Sequence, residues 1–198
     1  MGKFKSFVVI LLLCFSPFAL GAGDPVLGKQ KSLLCTECHG TTGNSPDKNI
    51  PKLAGQLEDY IVLAVTEFQQ GIRSDPMMSN LATVVQNVKD LEDIAAYFAS
   101  QPRMQGPGRI NVVAAEGAEL FTSERCNYCH DDEGKLYAPF QENIPPIIGG
   151  QHKPYLIKAM KDIRAGKRPG DIYDLMPKLL SELTDKQIEA IAEYLSQI

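Results

Sequence analysis

Histidine is scarce in this 198-residue chain: only His39, His130 and His152 occur. Three imidazoles cannot supply two full pairs of ligands. No segment beyond the first residues alternates apolar and polar positions with a period of two, so half-buried strands are not expected. Long apolar runs are missing as well, except near the start. There Phe7 to Phe18 is broken only by Ser16 and Pro17, and it is shorter than the ~20 residues a membrane span needs. Lys3 and Lys5 precede it, and Ala19, Gly21 and Ala22 follow. That order predicts a secretory signal peptide over residues 1–21, cleaved after Gly21, and hence export.

Positive charge is also short. The whole chain carries −4, and residues 1–21 hold two lysines and no acid, so the remaining 177 residues carry −6. This argues against nucleic acid or an anionic membrane surface as the main partner. It suits a soluble, monomeric protein that docks transiently on basic patches, including those of membrane complexes.

Of the five cysteines, Cys14 falls in the leader, behind Leu13 where lipid attachment would call for a small residue. Cys35, Cys38, Cys126 and Cys129 remain. Four cysteines in an exported chain suggest disulfides. Here they form two Cys-x-x-Cys pairs, each followed at once by histidine, His39 and His130.

These two motifs belong to an internal repeat of about 95 residues. Pro51-Lys-Leu-Ala-Gly-Gln56 matches Pro146-Ile-Ile-Gly-Gly-Gln151. Four residues after each glutamine stands a tyrosine, Tyr60 and Tyr155, opening a segment that ends in Gly-x-Arg at Gly71–Arg73 and Gly166–Arg168. Leu57, Tyr60, Ile61, Ala64, Val65 and Phe68 recur at helical steps, as do Tyr155, Leu156, Ala159, Met160 and Ile163. Further helices carry Ile94, Ala95, Tyr97 and Phe98, then Ile191, Ala192, Tyr194 and Leu195. Thr184-Asp-Lys-Gln187 reads as a capping box for the last of these. The fold class is therefore all-α. The expected units are residues 22–101, a Pro- and Gly-rich linker over 102–111, and residues 112–198. A domain of about 80 residues buries little apolar surface and usually needs a staple or a cofactor.

Cys-x-x-Cys-His is the attachment sequence of c-type haem, with two thioether bonds to the macrocycle and the histidine on the iron. Two covalent haems are expected, on Cys35 and Cys38 and on Cys126 and Cys129. A structural zinc site would have to join pairs 91 residues apart. Redox dithiols would call for a βαβ context that is absent, and plain disulfides would leave the paired histidines unexplained.

The second axial ligand should be methionine, because His39 and His130 are used and His152 lies in a polar segment that reads as surface. Met1 is in the leader, Met104 in the linker, and Met160 on an apolar helix face. Met176 is then the ligand expected in the second half, seven residues before Leu183. Met78, seven before Val85, is its counterpart in the first half, with Met77 as the alternative. A thioether is a soft ligand that favours reduced iron, and it closes the sixth position against substrate. A closed site carries single electrons, which argues against an enzyme.

The repeat, the paired motifs and the segments Gly43-Asn-Ser-Pro46, Asp75-Pro-Met-Met-Ser79 and Leu91-Glu-Asp-Ile-Ala-Ala-Tyr-Phe98 resemble the dihaem cytochrome c4 family over the whole chain from Gly23. The resemblance implies two tandem class I cytochrome c domains about a pseudo-twofold axis, with the haems facing across their interface. It implies a periplasmic electron carrier between a respiratory donor complex and a terminal oxidase or reductase. It also implies that the Pro51 and Pro146 carbonyls hold the histidine rings. Gly28 and Gly117 would let the first helix of each domain approach Tyr97 and Tyr194. Two features depart from the family pattern: Val85-Gln-Asn-Val carries one extra residue, and Leu175-Met176-Pro177 is closer to the pattern of single-haem class I cytochromes, while an insertion over residues 137–142 lengthens the loop before Pro146. The competing function is a dihaem subunit of a larger oxidoreductase, such as a flavocytochrome c sulfide dehydrogenase. A dihaem peroxidase is a third reading, disfavoured by chain length.

Overall fold

The computed structural model describes residues 23–130, 145–169 and 175–198. The expected leader, residue 22 and the loop insertion at 137–142 lie outside the described residues. Among those described, every regular element is a helix. The first set is α1 (Pro25–Lys31), α2 (Leu33–His39), α3 (Glu58–Gln69), α4 (Met78–Ala82) and α5 (Val88–Ala99). The second is α6 (Val112–Ser123), α7 (Asn127–His130), α8 (Lys153–Arg164), α9 (Leu175–Ser181) and α10 (Asp185–Gln197). The order repeats, as the sequence repeat requires. No helix among the described residues is long and apolar enough to cross a membrane.

Each set is built on one close helix crossing, α1 on α5 and α6 on α10. A Cβ at Gly28 would lie 1.8 Å from the Asp93 carbonyl oxygen and 2.9 Å from Tyr97 Cβ. At Gly117 the same atom would meet the Ala190 oxygen at 2.0 Å and Tyr194 Cβ at 2.9 Å. Only glycine permits these backbones to touch, which is the role expected of both residues. A buried carboxylate ties the first crossing. Asp93 accepts from Asp24 N–H at 2.8 Å and pairs with Lys31 at 2.6 Å and Lys89 at 3.2 Å.

Local sequence sets the helix ends. Asp24 accepts from the Val26 and Leu27 amides to start α1, with Pro25 next to it where no amide donor is lost. The Thr184 to Gln187 capping box forms in full at the start of α10. Gly71 and Gly166, at φ +70° and +68°, stop α3 and α8 in the left-handed conformation, with nothing near where a side chain would sit.

Each core is small. Ile61, Ile94, Ala95, Tyr97 and Phe98 form one, with Leu53 and Cys35 against it. Phe121, Leu156, Met160, Ile188, Ile191 and Leu195 anchor the other, with Cys126 and Met176 against it. The apolar stripe of α3 does not simply pack on neighbouring helices. Ile61 and Phe68 are buried, whereas Tyr60, Ala64 and Val65 are half-buried along a cavity wall.

The linker is packed rather than loose. Met104 is only 2% exposed and its amide donates to Ala54 O at 3.1 Å. The Gly106 and Gly108 amides then donate to Ile198 O and Gln197 O at 2.6 and 2.7 Å. The segment is thereby bonded to both halves. His152 also departs from its expected surface role: it is half-buried, with Nε2 3.0 Å from both Ser45 O and Ser45 Oγ in the other half.

Candidate haem centres

The site begins where α2 and α7 each end on a histidine. Helical spacing within Cys-x-x-Cys-His turns both thiols and the imidazole toward one wall. Cys35, Cys38 and His39 line the same cavity as Cys126, Cys129 and His130, and its volume is about 920 Å³. That lies near the top of the ~300–1,000 Å³ range of ligand pockets. Most of the remaining wall is apolar, with Leu34, Leu81, Leu91 and Phe98 from one half and Phe121, Leu180, Leu183 and Leu195 from the other.

None of these four cysteines is in a disulfide. Burial pushes the Cys35 thiol up, and it pushes Cys126 up to about 11. Raised in this way, the Cys35 and Cys126 thiols are poor thiolates. Both histidines are buried, and each is oriented by a proline carbonyl: His39 Nδ1 donates to Pro51 O and His130 Nδ1 to Pro146 O, both at 2.9 Å. Burial holds His39 below the ordinary imidazole range despite the Pro51 bond, so the ring is neutral near pH 7. In His39, with Nδ1 engaged by Pro51 O, a metal would be held through Nε2.

The methionines separate by position. Met176 is half-buried, packs against the second core and lines the cavity. Met77 and Met78 both line it too, but Met78 is half-buried while Met77 is 59% exposed. The Asp75 carboxylate accepts from both of their amides at 3.1 Å and so fixes this turn. Met160 is buried in the second core, and Met104 is 3.5 Å from the Gln151 amide nitrogen. Two thiols, one imidazole and one thioether on an apolar wall, twice over, fit a covalently held macrocycle with a six-coordinate iron.

Sequence reasoning singled out Tyr60, Tyr155, Arg73 and Arg168 as repeat landmarks without giving them a task. They pair crosswise between the halves. Arg73 Nη2 donates to the Tyr155 hydroxyl at 3.0 Å, and Arg168 Nη2 to the Tyr60 hydroxyl at 2.6 Å. Burial pushes the Tyr155 phenol up, but the charges of Arg168 and Arg73 outweigh it and draw the group below its ordinary range. Equal spacing from the glutamine in both repeats was the available signal.

The cytochrome c family profile matches residues 114–198. The chain is 37% identical to cytochrome c4 of Pseudomonas aeruginosa, covering 94% of each protein. It is 32% identical to cytochrome c4 of Azotobacter vinelandii, covering 96% of this chain and 97% of that one. Among solved structures, reduced cytochrome c4 from Pseudomonas stutzeri superposes with a TM-score of 0.79 at 34% identity, covering 89% of this chain and all of the other. Repeat, fold, paired cysteine–histidine walls and relatives agree: the chain belongs to the cytochrome c4 family, electron-transfer proteins with two covalent haems c.

Proposed function

We propose that this chain is a periplasmic, soluble, monomeric electron carrier without catalysis of its own, working between a respiratory donor and a terminal oxidase or reductase. Its units are residues 22–101 and 112–198, joined by 102–111 and released from a leader over 1–21. In this reading Cys35, Cys38, Cys126 and Cys129 hold the macrocycles. His39 with Met78, and His130 with Met176, ligate the two irons. The observation that carries it is the doubled wall: in each half two thiols, a proline-oriented histidine and a half-buried methionine face one cavity. Each haem supplies a one-electron couple. The protein's part is to exclude water with apolar side chains, to keep Nδ1 of each histidine protonated against a carbonyl, and to fill the sixth position with sulfur.

The test is a haem-to-protein stoichiometry with a redox titration, repeated on Met176→Ala. Two covalent haems of elevated potential are expected, and both should show the red band of iron–thioether bonding when oxidised. The variant should lose that band from one haem and lower its potential. A band of undiminished strength would overturn the Met176 assignment. Isolation from native extract tests the free-carrier reading, because a tightly bound flavoprotein would refute it.

A further inference from the structure

Gln56 and Gln151 close the repeated Pro-x-x-x-Gly-Gln segments, and both are 4% exposed. Their side chains reach across to the other half. Gln56 Nε2 donates to Ile147 O at 2.8 Å, and its Oε1 accepts from Ile147 N–H at 2.9 Å. Gln151 mirrors this: Nε2 donates to Lys52 O at 3.0 Å and Oε1 accepts from Lys52 N–H at 2.9 Å. Each Oε1 also accepts the next amide of its own chain, Leu57 N–H or His152 N–H, at 3.0 Å. A flipped side-chain amide would set donors against donors, so the orientation is fixed from both sides.

The bonded groups are not arbitrary backbone. Lys52 N–H and Pro51 C=O are two ends of one peptide unit, and that carbonyl accepts from His39 Nδ1. Ile147 N–H and Pro146 C=O are likewise one unit, and that carbonyl accepts from His130 Nδ1. An unbroken polar line therefore runs from each imidazole, through one peptide group, to the glutamine of the opposite half. We propose that Gln56 and Gln151 are crossed positioning residues: each sets the reduction potential of the haem in the other half. This rests on His39 and His130 being the iron ligands.

The sign follows from polarisation. A peptide that donates through N–H is a better acceptor at C=O, by about 10–30% per bond. The stronger pull on Nδ1–H makes Nε2 a more electron-rich ligand, which favours oxidised iron. Removing the glutamine relaxes both effects and raises the potential of the opposite haem. Satisfaction of buried peptide groups alone would predict lost stability without a crossed shift in potential.

The experiment uses the full dihaem protein with Gln56→Met and Gln151→Met, following each haem separately by NMR during a redox titration. Gln56→Met should shift the reduction equilibrium of the C-terminal haem toward reduced by about threefold. That is about 28 mV at 59 mV per tenfold for one electron. The N-terminal haem should move less, and Gln151→Met should give the mirror result. Gln56→Asn withdraws the amide by one methylene and should give the same crossed shift if the Met variant does not fold. In the unaltered protein, the Lys52 and Ile147 amides should exchange far more slowly than surface-loop amides. An equal shift of both haems, a larger shift on the variant's own half, no shift in a folded variant, or loop-like exchange of those amides overturns the proposal. His130→Ala separates the two layers. If the C-terminal haem keeps its spectrum, the ligand assignment fails; if the spectrum is lost while the shifts are uncrossed, only the glutamine proposal fails.

Discussion

Gly28→Ala probes the crossing on which the first haem wall is built. The added methyl would stand 1.8 Å from the Asp93 oxygen, about 1.6 Å short of ordinary contact at 3.4 Å. The obstacle is a helix backbone, so no rotamer change relieves it, and α1 must move away from α5. Overpacking costs about 1–3 kcal/mol, and the upper end applies to a backbone clash. Moving α1 also stretches the Asp24–Asp93 bond, worth about 1 kcal/mol. Against these, alanine in a helix interior gains up to ~1 kcal/mol over glycine. The net loss is about 3 kcal/mol. At ~4–8 °C per kcal/mol for a domain of 60–100 residues, the melting temperature should fall by roughly 12–24 °C. Thermal unfolding followed by circular dichroism, with each haem's absorption as a local probe, reads this directly. The loss should appear first at the N-terminal haem, because α1 leads into the helix bearing Cys35 and His39. Gly71→Ala is the control: its space is open, and only the cost of φ +70°, about 1 kcal/mol, applies. A Gly28→Ala protein as stable as the parent would refute the crossing.

Met78→Ala should abolish the thioether band of the N-terminal haem, and Met77→Ala, at the more exposed residue, should leave it; visible spectra of both oxidised variants decide. Asp93 is held down from 3.8 to about 2 by the Asp24 amide first and Lys31 next. A folded pKa below the unfolded one gives stability that is complete above pH 3.8 and lost as pH falls toward 2. Denaturant titrations across that window should show parent and Asp93→Asn converging as acid is added; a constant gap would refute the linkage. Thr184→Ala removes the capping box of α10 and should cost about 1 kcal/mol in denaturant unfolding.

Much of this site was legible because its chemistry is local. Cys-x-x-Cys-His states ligand types within five residues, and the repeat states it twice. Gly28 and Gly117 were legible through the family resemblance, since a helix crossing links residues far apart in sequence. What the sequence hid depends on which half faces which. Tyr60 and Arg73 read as marks on one helix, yet their partners are Arg168 and Tyr155 on the other half. Gln56 and Gln151 read as motif ends because nothing in either repeat says that the other supplies their backbone partner. His152 stood in a polar run, and hydropathy cannot distinguish solvent from a neighbouring Ser45.

Packing is equally invisible in the composition of Pro102 to Gly108. Its prolines and glycines do mark a break in helix, but Gly106 is glycine because Ser196 and Gln197 backbone lies where a Cβ would be, at 2.2–2.4 Å. Met104 is buried against the Gly150 turn, whose added Cβ would meet Met104 backbone at 2.7 Å. The segment is thus a strap whose packing depends on both halves holding their relative position. That position is also what the crossed Gln–peptide and Arg–Tyr bonds require. Two domains on a loose tether would leave the Lys52 and Ile147 amides to water, and each histidine would answer only to its own proline. Bound as they are, the peptide unit behind each histidine is shared property of the two domains. A duplicated chain can therefore hold its two redox centres in one polar framework, which a pair of independent single-haem proteins could do only while docked.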